Sequence, residues 1–186
     1  FTAESIDKFH LGYSPDQWDA LTKAALNAGF QEEFLISSGL TIQKGEKLFD
    51  RFKGRVMFPI HSMSGRVMGF GGRILKQDKQ SAKYVNSPES EVYQKSKVLY
   101  GLYQAKQHIA KESNCYLVEG YTDVIQMHQA GIQNVVSSSG TALTSDQVRL
   151  VRRLTNTITL LFDGDAAGLR AAMRGVDIIL EAGMQV

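Results

Sequence analysis

The chain has 186 residues, 43% of them hydrophobic and 22% charged, with a formal net charge of +2, the profile of an ordinary globular protein with room for one large or two small domains. No apolar run approaches the roughly 20 residues a membrane span requires, no signal-peptide pattern opens the chain, and no membrane association is expected. The single cysteine, Cys115, excludes an internal disulfide, and its apolar neighbours Tyr116, Leu117 and Val118 predict a buried, inert thiol in a reducing, cytoplasmic setting.

Residues 4–10 and 15–27 read as helices, the second opened by Ser14-Pro15-Asp16 with Pro at the first helical position. Trp18, Leu21, Ala25 and Leu26 share one face of that helix, which makes Trp18 an expected core residue. Residues 32–38 form a further short helix. Near residue 54 the pattern changes to β: residues 56–60 and 66–70 are strand-like runs joined by a Ser- and Gly-containing loop at 61–65. Pro59 suits a sheet edge or a bulge. Gly69, Gly71 and Gly72 crowd the second run and permit close backbone approach by a ligand or another chain. Residues 83–88 are extended, and 97–111 return to helix.

From residue 113 apolar strands alternate with helices: strands at 115–119, 134–138 and 157–162, helices at 122–130, 144–154 and 166–182. Thr144 and Gln147 have the spacing of a capping box. Alternation of this kind implies a parallel sheet flanked by helices, which binds ligands at the carboxyl ends of its strands. The expected fold class is α/β: a mixed N-terminal subdomain over residues 1–112, then a parallel-sheet domain over 113–186.

Charge is divided unevenly between these parts. Residues 44–97 hold 12 Lys and Arg against 5 Asp and Glu, enough to offer phosphates a basic surface, although a solvated basic face has the same composition. In the second part, Glu119 closes one strand, and Asp163 and Asp165 follow another with only Gly164 between them. Three acids at one sheet edge suit a hard divalent cation such as Mg²⁺ or Mn²⁺. Asp165 also precedes a helix, where an N-cap is the plain alternative. Asp123 is either a helix-dipole acid or an outer metal ligand. The four histidines lack zinc-ligand spacing, so zinc is not expected. No Walker-type phosphate loop and no nucleophile–base pair is present.

These residues resemble the bacterial (DnaG-type) DNA primase family. Glu119-Gly120-Tyr121-Thr122-Asp123 is similar to its Glu-Gly-Tyr-x-Asp motif, and Phe162-Asp163-Gly164-Asp165-x-Ala167-Gly168 to its Asp-Gly-Asp motif, both shared with the wider Toprim module. The stretches 51–60, 65–73, 83–89 and 99–102 are similar to signatures of primase itself. The resemblance implies a divalent-metal nucleotidyltransferase, a DNA-directed RNA polymerase that makes short RNA primers on single-stranded DNA from ribonucleoside triphosphates. It implies that Glu119, Asp163 and Asp165 serve catalysis and metal, and that Arg73, Lys83, Tyr84 and Asn86 contact template and nucleotides. A replicative helicase is implied as partner through a region outside this chain, and the replisome as its place of work. A Toprim nuclease or topoisomerase is the alternative. Because the chain opens at Phe1 and the family's next acidic motif would fall beyond Val186, a fragment with a weak metal site and little activity is expected.

Overall fold

The computed structural model describes residues 1–75 and 81–186, so Lys76 and Lys79 of the basic stretch lie outside the described residues. By its internal contacts the chain divides into two units. One contains His10–Pro59 and Val67–Gln94; the other contains Phe1–Phe9, Ile60–Arg66 and Lys95–Val186.

The first unit is built on antiparallel strands. β1 (Gly12–Ser14), β4 (Arg55–His61), β5 (Val67–Ile74) and β6 (Tyr84–Asn86) form a sheet in the order β1-β4-β5-β6. β1 pairs with β4 from Gly12↔Met57 to Ser14↔Arg55 and stops short of Pro59, so the proline sits where that side of β4 has no partner from β1. A separate hairpin joins β2 (Thr41–Lys44) to β3 (Lys47–Asp50), with α2 (Ala20–Asn27) against β3 and α3 (Glu32–Ser37) against β2.

α2 starts at Ala20 rather than Pro15, and Trp18 is 68% exposed rather than buried. Ser14-Pro15 satisfies the local rules for a helix start, but tertiary pairing overrides them. Ser14 is taken by the sheet, and the Trp18 carbonyl accepts from Asp50 N at 2.7 Å. The buried Asp50 carboxylate then caps α2 from a distance, accepting from Leu21 N (2.7 Å), Thr22 N (2.9 Å) and Thr22 Oγ1 (2.7 Å).

The second unit carries the parallel sheet, in the order β8-β7-β9, formed by β7 (Cys115–Val118), β8 (Val135–Ser137) and β9 (Ile158–Leu160). Its other elements are α1 (Ala3–Lys8), α4 (Leu102–Glu112), α5 (Tyr121–Gln129), α6 (Ser145–Arg152) and α7 (Ala166–Glu181). Ile109, Cys115, Val136, Val148 and Ile179 are wholly buried in one core between sheet and helices. Each such aliphatic side chain contributes roughly 1.5–3 kcal/mol relative to exposure. Burial also drives the Cys115 thiol pKa far up, so this sulfur is inert as expected.

α4 begins five residues later than the periodicity predicts. A 3-10 turn, Lys95–Lys97, precedes it, and Tyr100 exchanges backbone hydrogen bonds with Ser137 at 2.9 and 3.0 Å. The Thr144–Gln147 capping box of α6 forms as expected. Gln147 is fully buried because its Nε2 also donates to the Lys95 and Val98 carbonyls. Among the described residues, no helix is long and apolar enough to cross a membrane.

Candidate active site

At the carboxyl edge of the parallel sheet, Glu119 directly follows β7, and the loop carrying Asp163 and Asp165 follows β9. Glu119 Oε1 accepts the Asp163 backbone N–H at 2.8 Å, which joins the two strand ends. The loop after β8 reaches the same place, with Gly140 N donating to the Glu119 carbonyl at 3.3 Å. Asp165 is the N-cap of α7: its Oδ1 alone accepts from Ala167 N (2.9 Å) and Gly168 N (2.8 Å), and Oδ2 takes no part in the cap. Asp123 Oδ2 accepts from Gly120 N at 2.9 Å in the first turn of α5.

This closeness depends on Gly168. A Cβ there would overlap the Asp163 carbonyl oxygen and lie 2.9 Å from Glu119 Oε1. In the sequence Gly168 closes the stretch that carries the Asp-Gly-Asp motif, but nothing local signals what it faces.

Asp163 and Asp165 are exposed and Glu119 is half-buried. The donors are all oxygen, two come from one turn, and Glu119 and Asp165 each engage a single oxygen with the backbone. That set fits a hard divalent cation taking its other ligands from water and phosphates. Among the described residues, no three His, Cys, Asp or Glu side chains are gathered into a metal-holding cluster. The edge is a partial donor set rather than a closed cage.

In the antiparallel unit, the residues singled out for nucleotide contact sit on one strand pair and its approach. Arg73 on β5 stands opposite Tyr84 on β6, and its guanidinium carbon lies 5.7 Å from the Tyr84 ring centroid, a cation–π arrangement. Asn86 stands opposite Gly71, and Lys83, just before β6, is exposed. The strand pair is pinned by Arg55, a residue the sequence reading did not single out. Arg55 is only 7% exposed, and its Nη1 donates to the carbonyls of Gly72 (3.3 Å), Ala82 (2.9 Å) and Lys83 (3.4 Å). Burial lowers its pKa from the ordinary guanidinium value. An arginine opening the apolar run of β4 was the available signal, since a buried charge must find partners.

Two of the crowded glycines admit close approach from within the unit itself. A Cβ at Gly69 would meet the Tyr93 ring at 2.8 Å, and one at Gly72 would meet Phe52 at 2.6 Å. At these two positions the unit's own aromatic rings approach the backbone.

An antiparallel unit carrying paired Arg and Tyr, and a parallel unit with acids at its strand ends, define a class that combines a primase-type N-terminal core with a Toprim-like sheet. Residues 1–106 match the family model "DNA primase catalytic core, N-terminal domain", and residues 116–186 match "Toprim-like". The chain belongs to the bacterial DNA primase catalytic-core family. It is 44% identical over 188 residues to the DNA primase of Halalkalibacterium halodurans, covering 100% of this chain and 31% of that protein. The fold superposes on the Aquifex aeolicus primase zinc-binding and RNA polymerase domains with a TM-score of 0.91 at 39% identity, covering 98% of this chain and 45% of that one. It also matches a DnaG primase catalytic domain bound to ssDNA, with a TM-score of 0.86 at 41% identity over 96% of this chain and 56% of that one. The chain thus spans about a third of the length of the curated relatives it matches. The α/β fold class expected from sequence is the one observed, with an antiparallel sheet followed by a parallel three-stranded sheet.

Proposed function

We propose that this chain supplies the catalytic core for template-directed synthesis of short RNA primers from ribonucleoside triphosphates on single-stranded DNA. The observation that carries the reading is the Glu119–Asp163 link beside Asp165 at one sheet edge, in a chain of the primase catalytic-core family. Residues 113–186 form the metal-holding domain, and residues 1–112 furnish the basic groove. Asp163 and Asp165 hold a divalent cation, Mg²⁺ or Mn²⁺, with Asp123 as an outer ligand. When bound, the cation supplies neutralising charge to the phosphate undergoing transfer. Glu119 fixes the Asp163 loop through its hydrogen bond and acts either as a further ligand or as the proton acceptor for the attacking hydroxyl.

Arg73 and Lys83 bind phosphates, Tyr84 stacks on a base or sugar, and Asn86 hydrogen-bonds to template or nucleotide. A DNA partner is supported by the similar catalytic domain bound to ssDNA. The replicative helicase is a partner reached through other parts of the protein, and the bacterial replication fork is the place of action.

The test is primer synthesis on single-stranded DNA by a chain extended past Val186, with labelled ribonucleotides as readout. Loss of product in Asp163→Asn and Glu119→Gln is expected. Full activity in either variant, or DNA cleavage without nucleotide incorporation, overturns the assignment.

A further inference from the structure

Trp18 and the β2–β3 hairpin are left unused by the residues assigned so far. Trp18 is the only tryptophan in the chain, and it is 68% exposed. Its backbone is nonetheless fixed: the carbonyl is held by Asp50 N, and the next turn is capped by the Asp50 carboxylate. Lys53 Nζ lies 4.0 Å above the indole centroid, and Phe49 meets the ring edge-on at 6.2 Å. Together with Asp19, Lys44, Lys47 and Leu48, Trp18 and Phe49 line an open depression of about 670 Å³.

Its charge is uneven. Asp19 is met by Lys23 at 3.0 Å, and Lys53 by Asp16 at 3.5 Å. Lys44 and Lys47, both exposed, are register partners across the hairpin end. Like charges directly opposite each other destabilise a strand pair, and Glu46 in the turn offsets only one of them. Apart from its contacts with Lys53 and Phe49, the indole leaves most of its surface to water on a rigid backbone beside a repelling lysine pair. With a single strand of nucleic acid both features become favourable, because a base stacks on the indole while successive phosphates meet the lysines.

We propose that the Trp18–Phe49 depression, flanked by Lys44 and Lys47, is a second binding subsite for single-stranded nucleic acid, additional to the Arg73–Tyr84 strand pair. The inference rests on the reading that this chain binds single-stranded DNA, and its test separates the two. An acidic peptide would satisfy the lysines but would leave the indole without a stacking partner.

Because Trp18 is the sole tryptophan, its emission reports this site alone. The chain is titrated with unlabelled oligothymidylate while Trp18 fluorescence is followed, and in parallel with an end-labelled oligonucleotide read by anisotropy. Saturable quenching that tracks the anisotropy is expected. Trp18→Ala should weaken binding about tenfold, the effect of one lost stacking contact, while Trp18→Phe retains most of it. Lys44→Glu with Lys47→Glu should flatten the log K against log salt slope by about 1.4, from two lost phosphates. An anisotropy rise with unchanged Trp18 emission overturns the subsite alone. Equal quenching by polyglutamate overturns it in favour of an acidic-protein surface. No anisotropy change at any salt overturns both the subsite and the nucleic-acid reading beneath it.

Discussion

The Glu119 carboxylate reaches across 44 residues of sequence to accept the Asp163 backbone N–H at 2.8 Å. A glutamine at 119 keeps an acceptor for that N–H and loses the charge. Glu119→Gln is therefore expected to unfold in urea within about 0.5 kcal/mol of wild type, while Mg²⁺ or Mn²⁺ affinity by calorimetry falls at least roughly tenfold. Glu119→Ala loses the bond as well and should cost about 1 kcal/mol.

Gly168→Ala tests the close approach behind that bond. In an open helix the change stabilises by up to about 1 kcal/mol. Here the methyl group overlaps the Asp163 carbonyl and crowds Glu119 Oε1, and overpacking of this kind costs about 1–3 kcal/mol. Strain outweighs propensity, so urea denaturation should show a net loss of about 1–2 kcal/mol, with weakened divalent-metal binding.

Arg55→Met removes the donor to three carbonyls around β6. The Lys83 carbonyl keeps its bond from Ile74 N, so the expected cost is that of the bonds lost at Gly72 and Ala82, about 1–3 kcal/mol. Arg55→Lys should recover only part, since an ammonium cannot reproduce the planar spread of a guanidinium. Amide hydrogen exchange at Tyr84–Asn86 should quicken in both variants.

His128 supplies a pH dependence. Burial, then Lys8 and then His108, lower its pKa from 6.5 to about 4, and its Nε2 is buried without a hydrogen-bond partner among the described residues. The unfolded chain protonates this imidazole below pH 6.5 while the folded chain resists until about 4. Stability is therefore fully present above 6.5 and falls as pH drops through this window, by about 3 kcal/mol in all. His128→Phe, packed against Phe9, should flatten that slope in urea midpoints taken from pH 7 to 4; an unchanged slope would place its origin in other groups.

The parallel unit was the more legible half. Its strands are short apolar runs, each followed by a helix, so periodicity and the strand-end rule locate Glu119, Asp163 and Asp165 within a residue or two. Asp165 as N-cap was also readable, since an acid before a helix is a local signal. In the antiparallel unit the hairpin of β2 and β3 was missed, because Thr41–Asp50 mixes lysines with few apolar residues and lacks clean alternation. Trp18 was misassigned for the complementary reason. Its spacing fits a helix face, and only the distant Asp50 decides that the helix begins after it. Gly168 matters through what approaches it in space, which no window of neighbouring residues encodes, and the apolar run around Arg55 signals that it needs partners without saying which.

Asp50 also bears on the order of events during folding. Asp19, the residue next to α2, makes no side-chain cap bond, and the helix takes its cap from a residue 28 to 29 positions later. A peptide covering α2 alone lacks that acceptor, and eight residues are too few to hold helical structure in water. The helix must wait for the hairpin to close and deliver its carboxylate, so the loop bearing Trp18 becomes ordered with the unit and not ahead of it.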